Sequence, residues 1–199
     1  MIDPVNFTNY NLSDKQLQEY ILFAIAVSGK NAITTAKTLD KFLLHIKQMV
    51  NDEDLFNCIK EMSKTFSLSE LLKSFGFGCY NLKSKGFLEI ASSGLDLRNC
   101  STLDLEEISG IGMKTSRFFI LHTRPNAKVS CLDVHILRWM KRYGYENIPV
   151  QTPSSKKMYM DIEEKFLQLC EKLNKDPATM DLEIWNSERS ERESLKRTA

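Results

Sequence analysis

The sequence has few of the residues that build disulfide frameworks, metal clusters or loop-rich chains. Its 5 cysteines, at positions 58, 79, 100, 131 and 170, form no CxxC pair and no other short spacing. A scattered, odd-numbered set argues against a disulfide framework, a zinc ribbon or an iron–sulfur cluster. The 8 glycines and 5 prolines are too few for a chain dominated by loops or disorder.

Two further absences bear on location. No apolar run is long enough to span a membrane, and the N-terminus carries Asp3 and Pro4 where a signal peptide would carry basic residues. We therefore expect an intracellular protein, of the cytoplasm and nucleoid or of the nucleus, that is not secreted. A monomer is the default expectation for its oligomeric state.

The formal net charge of +1 conceals one strongly basic segment. Residues 111–143 contain seven lysines and arginines but a single acid, Asp133. A local basic zone in an otherwise neutral protein is typical of a polyanion-binding face. A solvated helix surface with many charges is the alternative interpretation.

Apolar residues recur at helical spacing through almost the whole chain, and no useful stretch alternates like a strand. Ser13 followed three residues later by Gln16 predicts a capping box at the start of the first helix. Two cap-proline pairs predict the starts of two C-terminal helices: Thr152-Pro153 and Asp176-Pro177. The pattern predicts an all-α protein.

A glycine-containing turn at residues 108–112 separates two predicted short helices, residues 103–108 and 113–123. Gly110 and Gly112 allow a tight turn whose backbone N–H groups face outward without obstruction by a Cβ atom. Together with the N-terminus of the following helix, these N–H groups form a seat for a backbone phosphate. A plain turn between two helices is the alternative.

Lys114 and Asp133 are the candidate chemical groups. Lys114 lies in the first turn of the second helix, where a cation is disfavoured, and a neutral lysine is an amine nucleophile. Its alternative role is phosphate binding. Asp133 is either an ordinary helix cap or a carboxylate that stabilises positive charge developing on a sugar. His135 is either a packed histidine or a phosphate contact.

Two runs, LEEISGIGMKTS at 105–116 and LDVHIL at 132–137, together resemble the helix-hairpin-helix, Gly/Pro-rich, Asp (HhH-GPD) superfamily of DNA glycosylases. Residues 27–32 resemble the segment that fills the gap left by a flipped-out base. Residues 181–185 are similar to the C-terminal region of archaeal-type 8-oxoguanine DNA glycosylase/AP lyases (the Ogg family). The resemblance covers most of residues 17–186.

The resemblance implies an all-α, two-lobe fold with a DNA cleft between the lobes. Residues 30–128 would form a helical barrel domain that carries the helix-hairpin-helix motif at about 103–123. Residues 1–29 and 129–186 would form the second helical lobe, followed by a charged C-terminal tail at 187–199.

The resemblance also implies site residues. It assigns Lys114 as the Schiff-base nucleophile and Asp133 as the essential acid. The main-chain carbonyls of Glu106, Ile108 and Ile111 would hold a structural Na+ or K+, and no other cofactor is required. The residues expected to contact double-stranded DNA are Lys30, Asn31, Gly110, Gly112, Thr115, His135 and Arg138.

The implied activity is that of a bifunctional base-excision-repair enzyme, which excises an oxidised base, 8-oxoguanine first among them, and then cuts the strand by β-elimination. Two alternatives stay open: the same chemistry on an oxidised pyrimidine, and a non-catalytic helix-hairpin-helix DNA-binding module. The four-cysteine cluster usual in endonuclease III-type and MutY-type members is absent, because only Cys170 follows Cys131. Ser109 stands where proline is common in such hairpins.

Overall fold

A computed structural model describes residues 2–3 and 6–197 of the chain, with side chains through residue 188. This part of the chain is entirely helical and contains no strand, which confirms the all-α prediction. Its helices are α1 Asp14–Val27, α2 Ala32–Val50, α3 Leu55–Thr65, α4 Leu68–Ser74, α5 Tyr80–Ser92, α6 Thr102–Glu106, α7 Met113–Thr123, α8 Val134–Arg142, α9 Lys156–Lys172 and α10 Pro177–Arg197. Within the described residues, none of them has the length and apolarity needed to cross a bilayer.

Contacts divide the chain into two units, with the boundary inside α7. The first unit contains Asn11–Phe119, and the second contains Asn6–Tyr10 together with the chain from Ile120 onward. This division differs from the predicted lobes, because it groups α1 with α2, α3 and α5, against which α1 packs. The physical reason is that α1 is buried on every side along its last two turns, so it needs neighbours all round.

The helices of the first unit begin at the caps that the sequence supplies. Ser13 and Gln16 form the predicted capping box of α1, with the Ser13 N–H donating to Gln16 Oε1 at 2.8 Å. The core of this unit is aromatic: the rings of Phe42 on α2 and Phe87 on α5 are fully buried, with centroids 6.1 Å apart. Burial of each such side chain stabilises the unit by about 2–3 kcal/mol.

In the second unit one predicted helix start is wrong. Helix α9 begins after Ser155, whose hydroxyl accepts a hydrogen bond from the Met158 N–H, and not at Thr152-Pro153. The Thr152 hydroxyl instead donates to the Leu132 carbonyl at 2.8 Å.

The predicted start of α10 is confirmed, because the Asp176 carboxylate accepts from the Thr179 N–H at 3.1 Å. The backbone of α10 continues to Arg197, so the predicted tail is helical over 187–197, and residues 198–199 lie outside the described part.

Candidate active site

The predicted hairpin joins α6 to α7 in the first unit. Gly110 has φ +85°, a conformation that only glycine adopts without strain, and the Ile111 N–H donates to the Ile108 carbonyl at 3.0 Å to close the turn. The side chains of Ile108 and Ile111 are buried, as expected for residues that hold two short helices together. The hairpin is therefore a rigid turn with its apolar residues inward.

The outer side of this turn carries unpaired backbone donors. The Gly112 carbonyl accepts the first hydrogen bond of α7, from the Ser116 N–H at 3.0 Å, so the N–H groups of residues 113–115 have no acceptor within the helix. Gly112 is exposed, and among the described residues no atom beyond its two chain neighbours lies within 4 Å of the place where its Cβ would be. This open surface at a helix N-terminus is suited to a phosphate.

Lys114 and Thr115 differ in accessibility. Lys114 is partly exposed in the first turn of α7, beside the open face of Gly112. Thr115 is only 8% exposed and its side chain is buried. The predicted contact of Thr115 with DNA therefore involves its backbone N–H and not its side chain.

A buried ion pair locks the two hairpin helices to each other. Glu106 on α6 accepts hydrogen bonds from the Arg117 guanidinium at 2.7 Å and from the Ser116 hydroxyl at 2.9 Å. The Arg117 side chain is only 6% exposed. Arg117 therefore lies in the interior of the hairpin and does not contribute to the basic surface that the charge pattern predicted.

In the second unit, Asp133 is the N-cap of α8. Its Oδ1 accepts hydrogen bonds from the backbone N–H groups of His135 at 2.8 Å and Ile136 at 2.9 Å. Its second oxygen, Oδ2, receives no hydrogen bond from any residue in the described part of the chain. The ordinary capping role is confirmed, and one carboxylate oxygen of a partly exposed residue is left available for another partner.

Buried polar groups of α9 fix the backbone segment that precedes Asp133. The Tyr159 hydroxyl donates to the Ser130 carbonyl at 2.8 Å and accepts from the Leu132 N–H at 3.1 Å. Glu163, one helical turn later, accepts from the Ser130 N–H at 2.7 Å. Because Tyr159 is fully buried and Glu163 only 5% exposed, water does not replace these bonds.

The basic residues of α8 face an acid of α10. Arg138 donates to Glu188 at 2.9 Å, Arg142 also pairs with Glu188, and His135 Nδ1 lies 3.9 Å from the same carboxylate. The side chain of Glu188 is only 3% exposed. Of these two residues predicted to bind DNA phosphates, Arg138 is therefore already hydrogen-bonded to a carboxylate in the free protein, and His135 lies near the same carboxylate.

Lys30 and Asn31, the remaining predicted DNA contacts, are exposed in the loop between α1 and α2. The Asn31 side chain caps α2 by accepting from the Thr34 N–H at 3.0 Å. The preceding turn is held by Lys83 of α5, whose buried ammonium donates to the Ala26 carbonyl at 2.6 Å. Burial lowers the pKa of Lys83, with the charge of Lys30 a smaller contribution in the same direction.

The cysteines form no disulfide and no metal-type cluster in the described residues. All five are free thiols, and no three His, Cys, Asp or Glu side chains gather as a metal site requires. Burial raises the pKa of Cys170 to about 12, which keeps this thiol protonated and unreactive at neutral pH.

The sequence reasoning missed the acids and the tyrosine that support the site. Glu106 pairs with an arginine 11 residues later and Glu188 with an arginine 50 residues earlier, and nothing in the local sequence indicates either pairing. Glu163 carried a readable signal, because it lies four residues after Tyr159 on the apolar side of α9. An acid on a buried helix face needs a partner, and here the partner is the segment before Asp133.

Comparison with known proteins places this chain among proteins of one family. A family model described as 8-oxoguanine DNA glycosylase (Ogg-HhH) matches residues 5–175. Relatives named 8-oxoguanine DNA glycosylase/AP lyase include one from Metallosphaera sedula, 28% identical over 69% of this chain and 68% of its own, and one from Thermotoga petrophila, 28% identical over 79% and 71%. The match to a third, from Thermoplasma volcanium, is 27% identical and covers 61% of each chain.

Solved structures show the same fold. The 8-oxoguanine DNA glycosylase of Thermotoga maritima superposes with a TM-score of 0.64 at 21% identity, covering 90% of this chain and 84% of that one. The enzyme of Methanocaldococcus jannaschii gives a TM-score of 0.61 at 21% identity, covering 90% and 81%. With a family model that spans residues 5–175 and a matching helical fold, this chain belongs to the Ogg-HhH family of 8-oxoguanine DNA glycosylases.

Proposed function

We propose that this protein is a bifunctional DNA glycosylase/AP lyase that removes 8-oxoguanine from double-stranded DNA. The observation that carries the proposal is Lys114: a partly exposed amine in the first turn of α7, next to an open seat of backbone N–H groups. A phosphate bound at such a seat brings the DNA backbone to the amine. Membership of the Ogg-HhH family supports 8-oxoguanine as the substrate.

The proposed chemistry begins after the damaged nucleotide has left the base stack, which costs a few kcal/mol. The lone pair of the neutral Lys114 amine forms a bond to C1′. The C1′–N9 bond breaks, and its electron pair leaves with the base, which takes up a proton. Opening of the sugar ring, with O4′ taking a proton, gives a protonated Schiff base between Nζ and C1′.

The Schiff base makes strand cleavage possible. It acidifies the C2′ protons, one of which is lost to a base or to water. The electrons of that C–H bond form the C2′–C3′ double bond, and the C3′–O bond breaks to release the 3′ DNA segment with a 5′ phosphate. Water then hydrolyses the imine and regenerates Lys114. These steps use an amine, a carboxylate and water.

Asp133 supplies the carboxylate in this proposal. Its Oδ1 is fixed by the N-terminus of α8, and its Oδ2 is left to stabilise the positive charge that develops on the sugar as the base departs. Tyr159 and Glu163 hold the preceding backbone so that this oxygen has one position.

The remaining residues bind duplex DNA in this proposal. The N–H groups of residues 113–115, which follow the turn that Gly110 and Gly112 form, bind one phosphate, and Lys30 and Asn31 contact the opened duplex. His135 and Arg138 bind a phosphate, and Arg138 exchanges its hydrogen bond to Glu188 for that contact, which makes the contact weaker than one from a free cation. The acting form is an intracellular monomer.

A structural Na+ or K+ at the hairpin is compatible with the donors present. The predicted ligands are the main-chain carbonyls of Glu106, Ile108 and Ile111. The Ile108 carbonyl already accepts from the Ile111 N–H at 3.0 Å, and a carbonyl has a second lone pair for a cation. The ion would supply one more positive charge beside the phosphate seat.

The test is strand cleavage on a lesion panel. Duplexes containing 8-oxoguanine, an oxidised pyrimidine, an abasic site or no damage are incubated with wild type, with Lys114→Ala and with a control, Lys128→Ala. Lys128 is an exposed lysine of the same basic segment, 67% exposed and 3.9 Å from Glu171. Cleavage at 8-oxoguanine that Lys114→Ala abolishes and Lys128→Ala retains supports the proposal.

The other outcomes separate the alternatives. Cleavage only at oxidised pyrimidines keeps the chemistry and replaces the substrate. The third outcome is that no duplex is cleaved and that Lys114→Ala weakens binding to every duplex equally. This outcome contradicts the enzymatic function and indicates a DNA-binding module.

A further inference from the structure

Helix α5 makes an unusually close contact with the hairpin. Gly86 of α5 lies directly against the carbonyl oxygen of Ser109, and a Cβ atom at position 86 would overlap that oxygen. The same Cβ would lie 3.5 Å from Ile25 Cγ2. A glycine in the middle of a helix costs about 1 kcal/mol relative to alanine, so its presence here has a packing reason. The reason is the approach of the hairpin backbone.

One helical turn later, Glu89 binds the same hairpin residue. Its Oε2 accepts from the Ser109 N–H at 2.6 Å and its Oε1 from the Ser109 hydroxyl at 3.1 Å. Lys85 of the same helix lies 3.6 Å from Oε1. The Ser109 N–H is the largest cause that lowers the pKa of Glu89, with the Ser109 hydroxyl and Lys85 adding to it. At neutral pH the carboxylate is therefore ionised and holds two donors of one residue.

Ser109 immediately precedes the residue that shapes the turn. Gly110 has φ +85°, and the place of its missing Cβ is 3.5 Å from Leu82 Cγ of α5. Because Glu89 fixes the backbone of Ser109, the turn that follows at Gly110 is restricted in its orientation. The backbone N–H groups on its outer face are thereby aimed before any ligand arrives.

We propose that Glu89 is a positioning residue for DNA binding: by holding Ser109 against Gly86 of α5, it preorganises the hairpin that receives the DNA phosphate. This inference rests on the proposed function, in which the hairpin binds that phosphate. A turn that is ordered before binding loses less conformational entropy when it binds, so preorganisation increases the affinity for DNA. Glu89 itself does not touch the DNA.

The test measures the Kd for an undamaged duplex and for an abasic duplex by fluorescence anisotropy at neutral pH. Glu89→Ala removes both hydrogen bonds and is expected to weaken binding about tenfold, the effect of losing hydrogen bonds to a charged acceptor. Glu89→Gln keeps an amide oxygen for the Ser109 N–H and restores most of the affinity. Ser109→Ala, which loses only the hydroxyl bond, gives an intermediate Kd.

Two matched controls separate positioning from charge. Lys85→Ala removes the ion pair but leaves both bonds to Ser109, and Glu61→Ala removes an exposed acid that pairs with Lys64 elsewhere in the same unit. Both are expected to bind DNA as wild type does. The rate of cleavage at saturating DNA is expected to change much less in Glu89→Ala than the half-saturating DNA concentration, because the lost contact acts on binding.

A Kd for folded Glu89→Gln, Ser109→Ala and Glu89→Ala that stays within about twofold of wild type overturns the inference. So does a Glu61→Ala control that weakens binding as much as Glu89→Ala. The outcome is distinguishable from failure of the proposed function. If Glu89→Ala binds the duplex more weakly than wild type does, and wild type cleaves no lesion, the positioning role is supported and the enzymatic function is contradicted. If wild type cleaves the lesion and the Glu89 variants bind DNA with unchanged affinity, the enzymatic function is supported and the positioning role is contradicted.

Discussion

Replacing Tyr159 by phenylalanine tests the support beneath Asp133. The hydroxyl makes two hydrogen bonds to buried backbone, donating to Ser130 at 2.8 Å and accepting from Leu132 at 3.1 Å. Each of these two bonds contributes about 0.5–1.5 kcal/mol, and the Leu132 N–H keeps a second acceptor, the Ser130 carbonyl at 3.1 Å. Because Tyr159 is 0% exposed, water does not compensate. Tyr159→Phe is therefore expected to lower the free energy of unfolding by about 1–3 kcal/mol.

Urea unfolding followed by circular dichroism measures this loss as a lower midpoint at an unchanged m value. Tyr143→Phe is the matched control: Tyr143 is 49% exposed at the end of α8, and its free energy of unfolding is expected to stay within about 0.5 kcal/mol of wild type. A loss below about 0.5 kcal/mol in Tyr159→Phe would refute the reasoning, since it would mean that the two hydrogen bonds of the hydroxyl contribute no net stability.

Three further predictions follow from the caps, the turn and the charges. Gly110→Ala places a side chain at φ +85° and is expected to cost about 1–2 kcal/mol in thermal unfolding, together with weaker binding to duplex DNA. Asp133→Asn keeps a capping oxygen, so we expect near-normal stability with loss of base excision in a strand-cleavage assay, whereas Asp133→Ala loses about 1 kcal/mol of stability as well. Equal excision by Asp133→Asn and wild type would leave Asp133 only its capping role. The pKa of Glu89 lies below its ordinary value of 4.5 in the folded chain, so its stabilising contribution is complete above that pH and is lost as the pH falls through the lower, folded value. The difference in unfolding free energy between wild type and Glu89→Gln should therefore shrink on acidification, and a constant difference would contradict this assignment.

Local signals were sufficient for the helices and the hairpin. The capping box at Ser13 and the positive φ of Gly110 depend on residues within a few positions of each other, so the sequence contains all the necessary information. The Thr152-Pro153 start of α9 was wrong because the Thr152 hydroxyl is bound by the Leu132 carbonyl, 20 residues earlier in the chain. A tertiary hydrogen bond overrode a local capping preference there.

Charge patterning was less informative, because sequence does not show which acids fold back onto a basic segment. Arg117 is buried with Glu106 in the first unit, while Arg138 and Arg142 pair with Glu188 in the second. The basic segment is thus divided between two units and partly neutralised. The role of Glu89 was not predicted either, because its hydrogen bond to Ser109 spans 20 residues and depends on Gly86, one helical turn away in α5.

Borohydride trapping tests the central claim, that Lys114 forms a Schiff base with the sugar of an excised 8-oxoguanine. A duplex with 8-oxoguanine opposite cytosine is incubated with wild type, Lys114→Ala or Lys128→Ala in the presence of borohydride, and the adduct is mapped by mass spectrometry. We expect a covalent adduct on Lys114 in wild type and Lys128→Ala, and none in Lys114→Ala. An adduct on a different residue, or no adduct from folded wild-type protein on this duplex, would contradict the mechanism.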